Sequence, residues 1–243
     1  MKGNGVLPDN SPPNRYARNQ STLSVQDQKT LTDAHVCIVG LGGLGGAVVE
    51  ILARLGVGNL TLIDGDIFEE SNLNRQLLST TQNLGTSKPE AAADRVRLIN
   101  PSVFTRVHPM FLKSANAASL IDGADVVADC LDNLKTRFLL EKVAKAAGIP
   151  LVSAAVAGTY GQITTIFPED PGFGQIYGPE NTVPDRGAEA ALGTLAYTAL
   201  ALAAMACSEI AKVLLNRGNL LRNKLFIMDF MDNILEVLPL SSP

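Results

Sequence analysis

The chain predicts an α/β fold: a Rossmann-like, doubly wound, mostly parallel sheet that ends in antiparallel strands. Three observations carry this. A short apolar strand runs directly into a glycine turn in VCIVGLGGLGG, the junction that opens dinucleotide-type folds. Short apolar runs and amphipathic segments then alternate as far as PLVSAAV, the order expected of helices crossing over a parallel sheet. Beyond that point GQITTIF alternates like an antiparallel strand, and a hairpin pattern closes the chain.

In chain order, residues 1–13 are polar and rich in Pro, Gly and Asn, and read as a flexible tail with no apolar core of a signal peptide. Residues 14–243 read as one domain. Asn14 to Leu31 reads as a helix, with Arg15 and Arg18 three apart on one face. After the strand VCIVG, the glycine turn opens a helix carrying Ala47, Val48, Ile51, Leu52 and Leu55 at amphipathic spacing, closed by Gly56 and Gly58. The strand NLTLIDGD completes a unit whose two strands should be parallel with a right-handed crossover.

A polar loop leads to a helix over Lys88–Ile99, in which Ala92, Val96 and Ile99 face the sheet. Strands follow at FTRVHPMF and DVVADCLD, then a helix from about Thr136 to Ala147 and the strand PLVSAAV. PEDPGFGQIYGPENTVPDRG has no regular period and reads as a long mobile loop over about 170–190. The last helix, Gly193 to Asn216, contains LAYTALALAAMAC, which is too short to span a bilayer and reads as buried. The terminal hairpin, KLFIMDF into ILEVLPL, turns at Met231-Asp232-Asn233.

With 46% hydrophobic residues, 18% charged residues and a net charge of −4, the composition is that of a soluble protein without the basic excess that nucleic acid demands. No membrane partner is expected either. Cys37, Cys130 and Cys207 are far apart and form no C-x-x-C pair, which suits the reducing cytoplasm.

The glycines define the chemistry. Gly40 permits the tight turn, Gly42 lets the backbone approach phosphate, and Gly45 permits close packing of helix on strand; the helix N-terminus supplies free N–H groups and partial positive charge. Asp64, at the end of the second strand, is placed to accept from ribose hydroxyls. This much fits NAD and ATP equally. Arg75 and Lys88 favour the second, because attack on a triphosphate calls for side-chain cations and usually a metal. Asp129 and Asp132 end another strand on the same edge, where a carboxylate is either a magnesium ligand or a helix N-cap. His35 and His108 stand in no acid/base constellation, so an NAD-dependent oxidoreductase would have a cofactor site with no chemistry beside it.

GLGGLG, the D-G-D of Asp64 and Asp66, SNLNRQ, GTSK and DCLDN, in this order and spacing, closely resemble the MoeB/ThiF/HesA family of ubiquitin-activating-type adenylyltransferases. The match covers roughly Arg15 to Phe167, with weaker similarity from Gly193 onward. The resemblance implies ATP- and Mg²⁺-dependent adenylation of the C-terminal glycine of a small ubiquitin-like sulfur carrier of the ThiS or MoaD type, with release of pyrophosphate. It assigns Asp64 to ribose, Asn72, Arg75 and Lys88 to phosphate, and Asp132 to magnesium. Gly40, Gly42, Gly43, Gly45, Asp66 and Gln76 complete the expected nucleotide site. It assigns Arg18 to the neighbouring subunit's ATP phosphates, which requires a homodimer. The carrier's carboxylate is itself the nucleophile, so Arg18, Arg75, Lys88 and Mg²⁺ would act by offsetting charge repulsion.

The chain departs from the family in two places. Where many members have C-x-x-C pairs for zinc, PGFGQIYG and FIMDFMDN have no cysteine, so no zinc is expected. ENTVPDRGAEAALG lacks the cysteine that many relatives join to the carrier, so the reaction is expected to stop at the acyl-adenylate. Rival readings are the oxidoreductase, a nucleotide-binding scaffold, and an adenylating enzyme acting on another carboxylate.

Overall fold

The structure, a computed structural model, describes residues 13–184 and 187–240. The expected tail lies outside the described residues except for Pro13, as do two residues of the expected mobile loop, 185 and 186.

The strands are β1 (His35–Val39), β2 (Asn59–Ile63), β3 (Phe104–His108), β4 (Val126–Asp129), β5 (Leu151–Ala157), β6 (Tyr160–Ile166), β7 (Lys224–Asp229) and β8 (Ile234–Pro239). They form one eight-stranded sheet in the order β3-β2-β1-β4-β5-β6-β7-β8. The first five are parallel to one another, and β6, β7 and β8 pair antiparallel. The helices are α1 (Val25–Asp33), α2 (Gly43–Leu55), α3 (Lys88–Ile99), α4 (Ala117–Leu120), α5 (Leu134–Ala147), α6 (Gly174–Tyr177), α7 (Glu189–Leu192) and α8 (Ala196–Leu214).

Alternation along the strands sorts the core into two layers. Val36, Ile38, Leu60, Leu62, Val126 and Ala128 point to one face and pack with α2, α3 and α8. Cys37, Val39, Ile63 and Val127 point to the other and pack with α4 and α5. Both faces of the central parallel strands β1 and β4 are covered, so they read as nearly continuous apolar runs, whereas the edge strand β3 is exposed or half-buried along its length. Each fully buried Leu or Ile here is worth about 1.5–3 kcal/mol relative to exposure.

Strand order reverses between β1 and β4, and the crevice beyond their carboxyl ends is where open α/β sheets bind ligands. Two glycines make the β1-α2 turn possible. Gly40 has φ +87°, and Gly45 sits so close to Gly40 that a Cβ would stand 1.8 Å from the Gly40 carbonyl oxygen.

The N-terminal expectation needs correction. Instead of one helix from Asn14 to Leu31, a 3₁₀ turn spans Asn14–Tyr16 and α1 starts only after Ser24. A capping box explains the start: Ser24 Oγ accepts from Asp27 N at 3.0 Å, and Asp27 Oδ2 accepts from Ser24 N at 2.8 Å. Arg15 and Arg18 therefore share no helical face. Tyr16 is buried and its hydroxyl accepts from Asn100 Nδ2 at 2.7 Å, while Arg15 Nη1 donates to Asn100 Oδ1 at 2.6 Å. Arg18 remains exposed.

The segment after β6 also carries more regular structure than its Pro/Gly content suggests. Phe173 is 1% exposed and packs edge-on to Phe138, with ring centroids 5.6 Å apart, and its N–H donates to the Glu141 carboxylate at 3.2 Å. α8 is shorter than expected because Gly193 has φ +70° and the chain stays extended through Leu195. Leu202, Ala203, Ala206 and Ile210 are buried, but Tyr197, Leu200 and Met205 on its outer face are exposed. The expectation of a buried helix holds for one face of α8.

Candidate active site

A cavity of about 1580 Å³ opens over the carboxyl ends of β1, β2 and β4. That exceeds the roughly 300–1,000 Å³ of a typical small-ligand pocket, so a nucleotide leaves room for a second reactant. Gly40, Gly42 and Gly43 form its floor. Gly42 is the N-cap of α2 and has no side chain to cap it, so the first N–H groups of the helix face the cavity unblocked. Gly45 lies one turn inside and serves the close packing described above.

Asp64 borders the cavity and does two jobs. Its Oδ2 accepts from Leu41 N at 2.7 Å, pinning the glycine turn, and its Oδ1 accepts from Asp66 N at 2.9 Å. Both oxygens retain lone pairs for ribose hydroxyls. Burial holds the Asp64 carboxyl above the ordinary aspartate range, against the opposing pull of the Leu41 N–H and of Lys88. Protonation competes with a hydroxyl donor, so affinity should fall as pH drops through this raised pKa. With adenosine as ligand, a binding titration over about pH 4–7 should show affinity lost at higher pH than an ordinary aspartate would give. Asp64→Asn should weaken binding and flatten the profile; an unaltered profile in that variant would remove Asp64 from the ribose site.

On the side of α3, Lys88 is only 5% exposed and its Nζ lies 3.1 Å from Asp66 Oδ2. Arg75 Nη1 donates to Ser71 O at 2.9 Å and Asn74 Oδ1 at 2.8 Å, both neutral acceptors. No carboxylate neutralises Arg75 among the described residues, so its charge is available to an anion. Asn72 is buried and its Oδ1 accepts from Glu69 N at 3.1 Å, which shapes the loop that carries Arg75. Gln76 lies against Gly42, and its Oε1 is buried with no partner among the described residues. A buried acceptor of this kind needs a donor, and a ligand hydroxyl or bridging water in the cavity meets that need.

Across the cavity stand Asp132 and Asn133. Asn133, and neither aspartate, is the N-cap of α5: its Oδ1 accepts from Thr136 N at 2.9 Å. Asp129 is withdrawn from the site altogether, wholly buried, with Oδ2 2.6 Å from Ser153 Oγ and 3.4 Å from Arg137 Nη1. Of these two, Asp132 is the one exposed in the cavity, where its carboxylate can meet a divalent ion. No group of three or more His, Cys, Asp or Glu converges among the described residues. One carboxylate with phosphate oxygens and water is the donor set magnesium favours, so these residues fit it.

Of the expected site residues, Arg18 alone is remote. Its segment is tied through Tyr16 and Arg15 to Asn100, beyond the C-terminus of α3, and it does not border the cavity. Arg137, which does border it, escaped the sequence reading; the available signal was a basic residue five positions beyond Asp132 in the helix that DCLDN opens. The histidines are explained without chemistry. Both ring nitrogens of His35 are taken, Nδ1 by Gly123 O at 2.7 Å and Nε2 by Thr61 Oγ1 at 2.8 Å, and neither histidine borders the cavity.

The profile of the ThiF family matches residues 16–243. The chain belongs to the ThiF family. The SAMP-activating enzyme E1 of Haloferax volcanii is 36% identical over 230 residues, covering 93% of this chain and 84% of that one. The adenylyltransferase and sulfurtransferase MOCS3 of Drosophila yakuba is 37% identical over 221 residues, covering 88% of this chain and 48% of that one. The probable adenylyltransferase/sulfurtransferase MoeZ of Mycobacterium tuberculosis is 32% identical, covering 90% and 57%. This ThiF-family chain thus spans about half the length of the last two. Among solved structures, PaaA superposes with a TM-score of 0.79 at 22% identity over 100% of this chain and 79% of its own. E. coli MccB with ATP gives 0.78 at 21% over 97% and 74%. These two share the fold. The chain is an adenylyltransferase of the ATP-using, E1-like kind.

The cysteines of this ThiF-family chain are poor nucleophiles. Burial pushes the thiols of Cys37 and Cys207 far up, and burial with the neighbouring Asp129 does the same to Cys130 at the cavity wall. Alkylation of the native protein with a maleimide at neutral pH should leave these three thiols unlabelled and adenylation unchanged; rapid labelling of any of them in the folded protein would overturn their inertness.

Proposed function

We propose that the protein adenylates the C-terminal glycine of a ubiquitin-like carrier ending in Gly-Gly, with Mg²⁺, and stops at the acyl-adenylate. The observation that carries this reading is the ring of Arg75, Lys88 and Asp132 around the phosphate-binding turn in one cavity. Arg75 and Lys88 would lower the repulsion between the incoming carboxylate and the triphosphate. Asp132 would hold Mg²⁺, which supplies charge neutralisation on the phosphates when bound. From the turn the cavity continues past Ala155 and Ala157, small residues that suit an unbranched glycine tail. The carrier's carboxylate is the nucleophile, so these groups align it with the α-phosphorus and no base is required. Like the free thiols, the activity suits the cytoplasm.

The reading extends to a homodimer in which Arg18 serves the partner's site. α8 links the two ends of the argument. Thr194 and Ala199 at its N-terminal end border the cavity, and Arg217 beyond its C-terminal end donates to Thr22 O at 3.4 Å, beside the Arg18 segment. Nineteen residues span roughly 28 Å, and that helix stands between the cavity and the contact with Thr22. Antiparallel pairing of two α8 outer faces, through Tyr197, Leu200 and Met205, would carry each Arg18 to the other copy's cavity.

Exchange of labelled pyrophosphate into ATP, with and without candidate carriers, tests the reaction. Carrier-dependent exchange, lost in Arg75→Ala and in Asp132→Ala, is the expected outcome. Exchange driven equally by a carboxylate without a Gly-Gly tail would shift the reading to another substrate. Mixing inactive Arg18→Ala with inactive Lys88→Ala should restore exchange, because one mixed site is whole; no restoration would refute Arg18's role in the partner.

A further inference from the structure

Arg137 has no part in the chemistry above, yet it is 4% exposed and borders the cavity. Its guanidinium ties the end of β4 to β5. Nη1 faces Asp129 Oδ2 at 3.4 Å and donates to Ser153 Oγ at 3.3 Å. Nη2 donates to the Leu131 carbonyl and, at 2.8 Å, to the Ala154 carbonyl. Asp129 in turn accepts from Leu131 N at 3.1 Å. Leu131 is therefore held on both sides, its N–H by Asp129 and its C=O by Arg137.

The next residue is Asp132, and the one after it, Asn133, is fixed as the cap of α5. Asp132 thus stands on a short bridge anchored at both ends. Ala154 lies in the neighbouring strand β5, one residue before Ala155 on the cavity lining, so the same Nη2 ties the Leu131 carbonyl to that strand. A buried ion pair is weak evidence of a role in stability, because desolvation offsets most of the attraction. What a guanidinium supplies is a rigid planar fork with several donors, which an ammonium cannot reproduce.

We infer that Arg137 is a positioning residue that sets where Asp132 stands relative to the channel for the incoming carboxylate. It acts through the Leu131 and Ala154 carbonyls, and the inference rests on the proposed magnesium role of Asp132.

Arg137→Lys tests it, since one ammonium cannot stand opposite Asp129 and Ser153 and also bond the two carbonyls, which the arginine does with separate nitrogens. Mn²⁺ is the probe, its affinity read by electron paramagnetic resonance in the presence of ATP, alongside ATP affinity without metal. The expected result is Mn²⁺ binding weakened about 10- to 100-fold, with metal-free ATP binding kept. Should Arg137→Lys fail to fold, Asp129→Asn combined with Arg137→Gln removes both charges and must show the same weakening. Wild-type Mn²⁺ affinity in whichever variant folds, with Asp132→Ala weakened, would overturn the role of Arg137 and leave the proposed function standing. Wild-type affinity in Asp132→Ala would overturn the metal role itself, and the inference with it.

Discussion

Lys88→Ala should lower the turnover of adenylation about 10²- to 10³-fold, the scale on which a preorganised charge acts in a site shielded from water. Lys88 is the first residue of α3, so the helix N-terminus adds its own partial positive charge at the same point. Its side chain is 7% exposed, and the Asp66 carboxylate at 3.1 Å fixes its direction. Little reorganisation is needed when charge builds on the departing pyrophosphate. Lys88→Arg should rescue poorly, because the longer planar head does not fit an enclosed site built for an ammonium. Asp66 is half exposed, so losing its partner costs little stability and the variant should fold. Pyrophosphate exchange at saturating ATP and carrier reads the effect. A rate within about threefold of wild type, far below the effect cited, would remove Lys88 from the reacting centre.

Gly45→Ala should be among the most damaging single methyl groups that the described residues could gain. The added Cβ would stand 1.8 Å from Gly40 O and 3.2 Å from Cys130 Cβ, so α2 and the turn must separate. Overpacking of this severity against backbone costs about 3 kcal/mol or more. Thermal unfolding should show the loss, and nucleotide binding should vanish with the turn. Gly42→Ala supplies the contrast. Its Cβ meets nothing closer than Gln76 Nε2 at 3.6 Å, yet it enters the space where phosphate approaches. That variant should fold normally and bind nucleotide poorly. If both lost only stability, or both lost only binding, the separate roles given to the two glycines would be wrong.

What the sequence made legible follows from local rules. The strand, glycine turn and α2 are dictated by φ and by side-chain volume within a few residues, and so is the helix over Lys88–Ile99. Ribose, phosphate and metal candidates were readable because each ends or follows a parallel strand, and those ends share one edge. The misses were long-range. Ser24 and Asp27 signalled a helix start, yet Arg15 and Tyr16 looked helical until their partner, Asn100, was in view. Asp129 and Asp132 differ by three positions, and only the pairing with Arg137 and Ser153 shows which one is turned inward. Phe173 was lost in a Pro/Gly-rich stretch because its anchors, Phe138 and Glu141, lie over 30 residues earlier. Arg18 illustrates the limit, since the role proposed for it depends on a second copy.

The reversal of strand direction after β5 also divides the molecule's labour. The parallel half, from β3 to β5, carries the glycine turn and the candidate phosphate and metal residues, and its geometry is locked by crossovers on both faces. The antiparallel half contributes the far wall, through Tyr160, Gly161 and Ile227, and ends in a strand exposed along its whole length. Hairpin strands tolerate substitution on a solvated face without disturbing their neighbours. The outer strands can therefore change sequence on their solvated face while the nucleotide end, built by the parallel half, keeps its geometry.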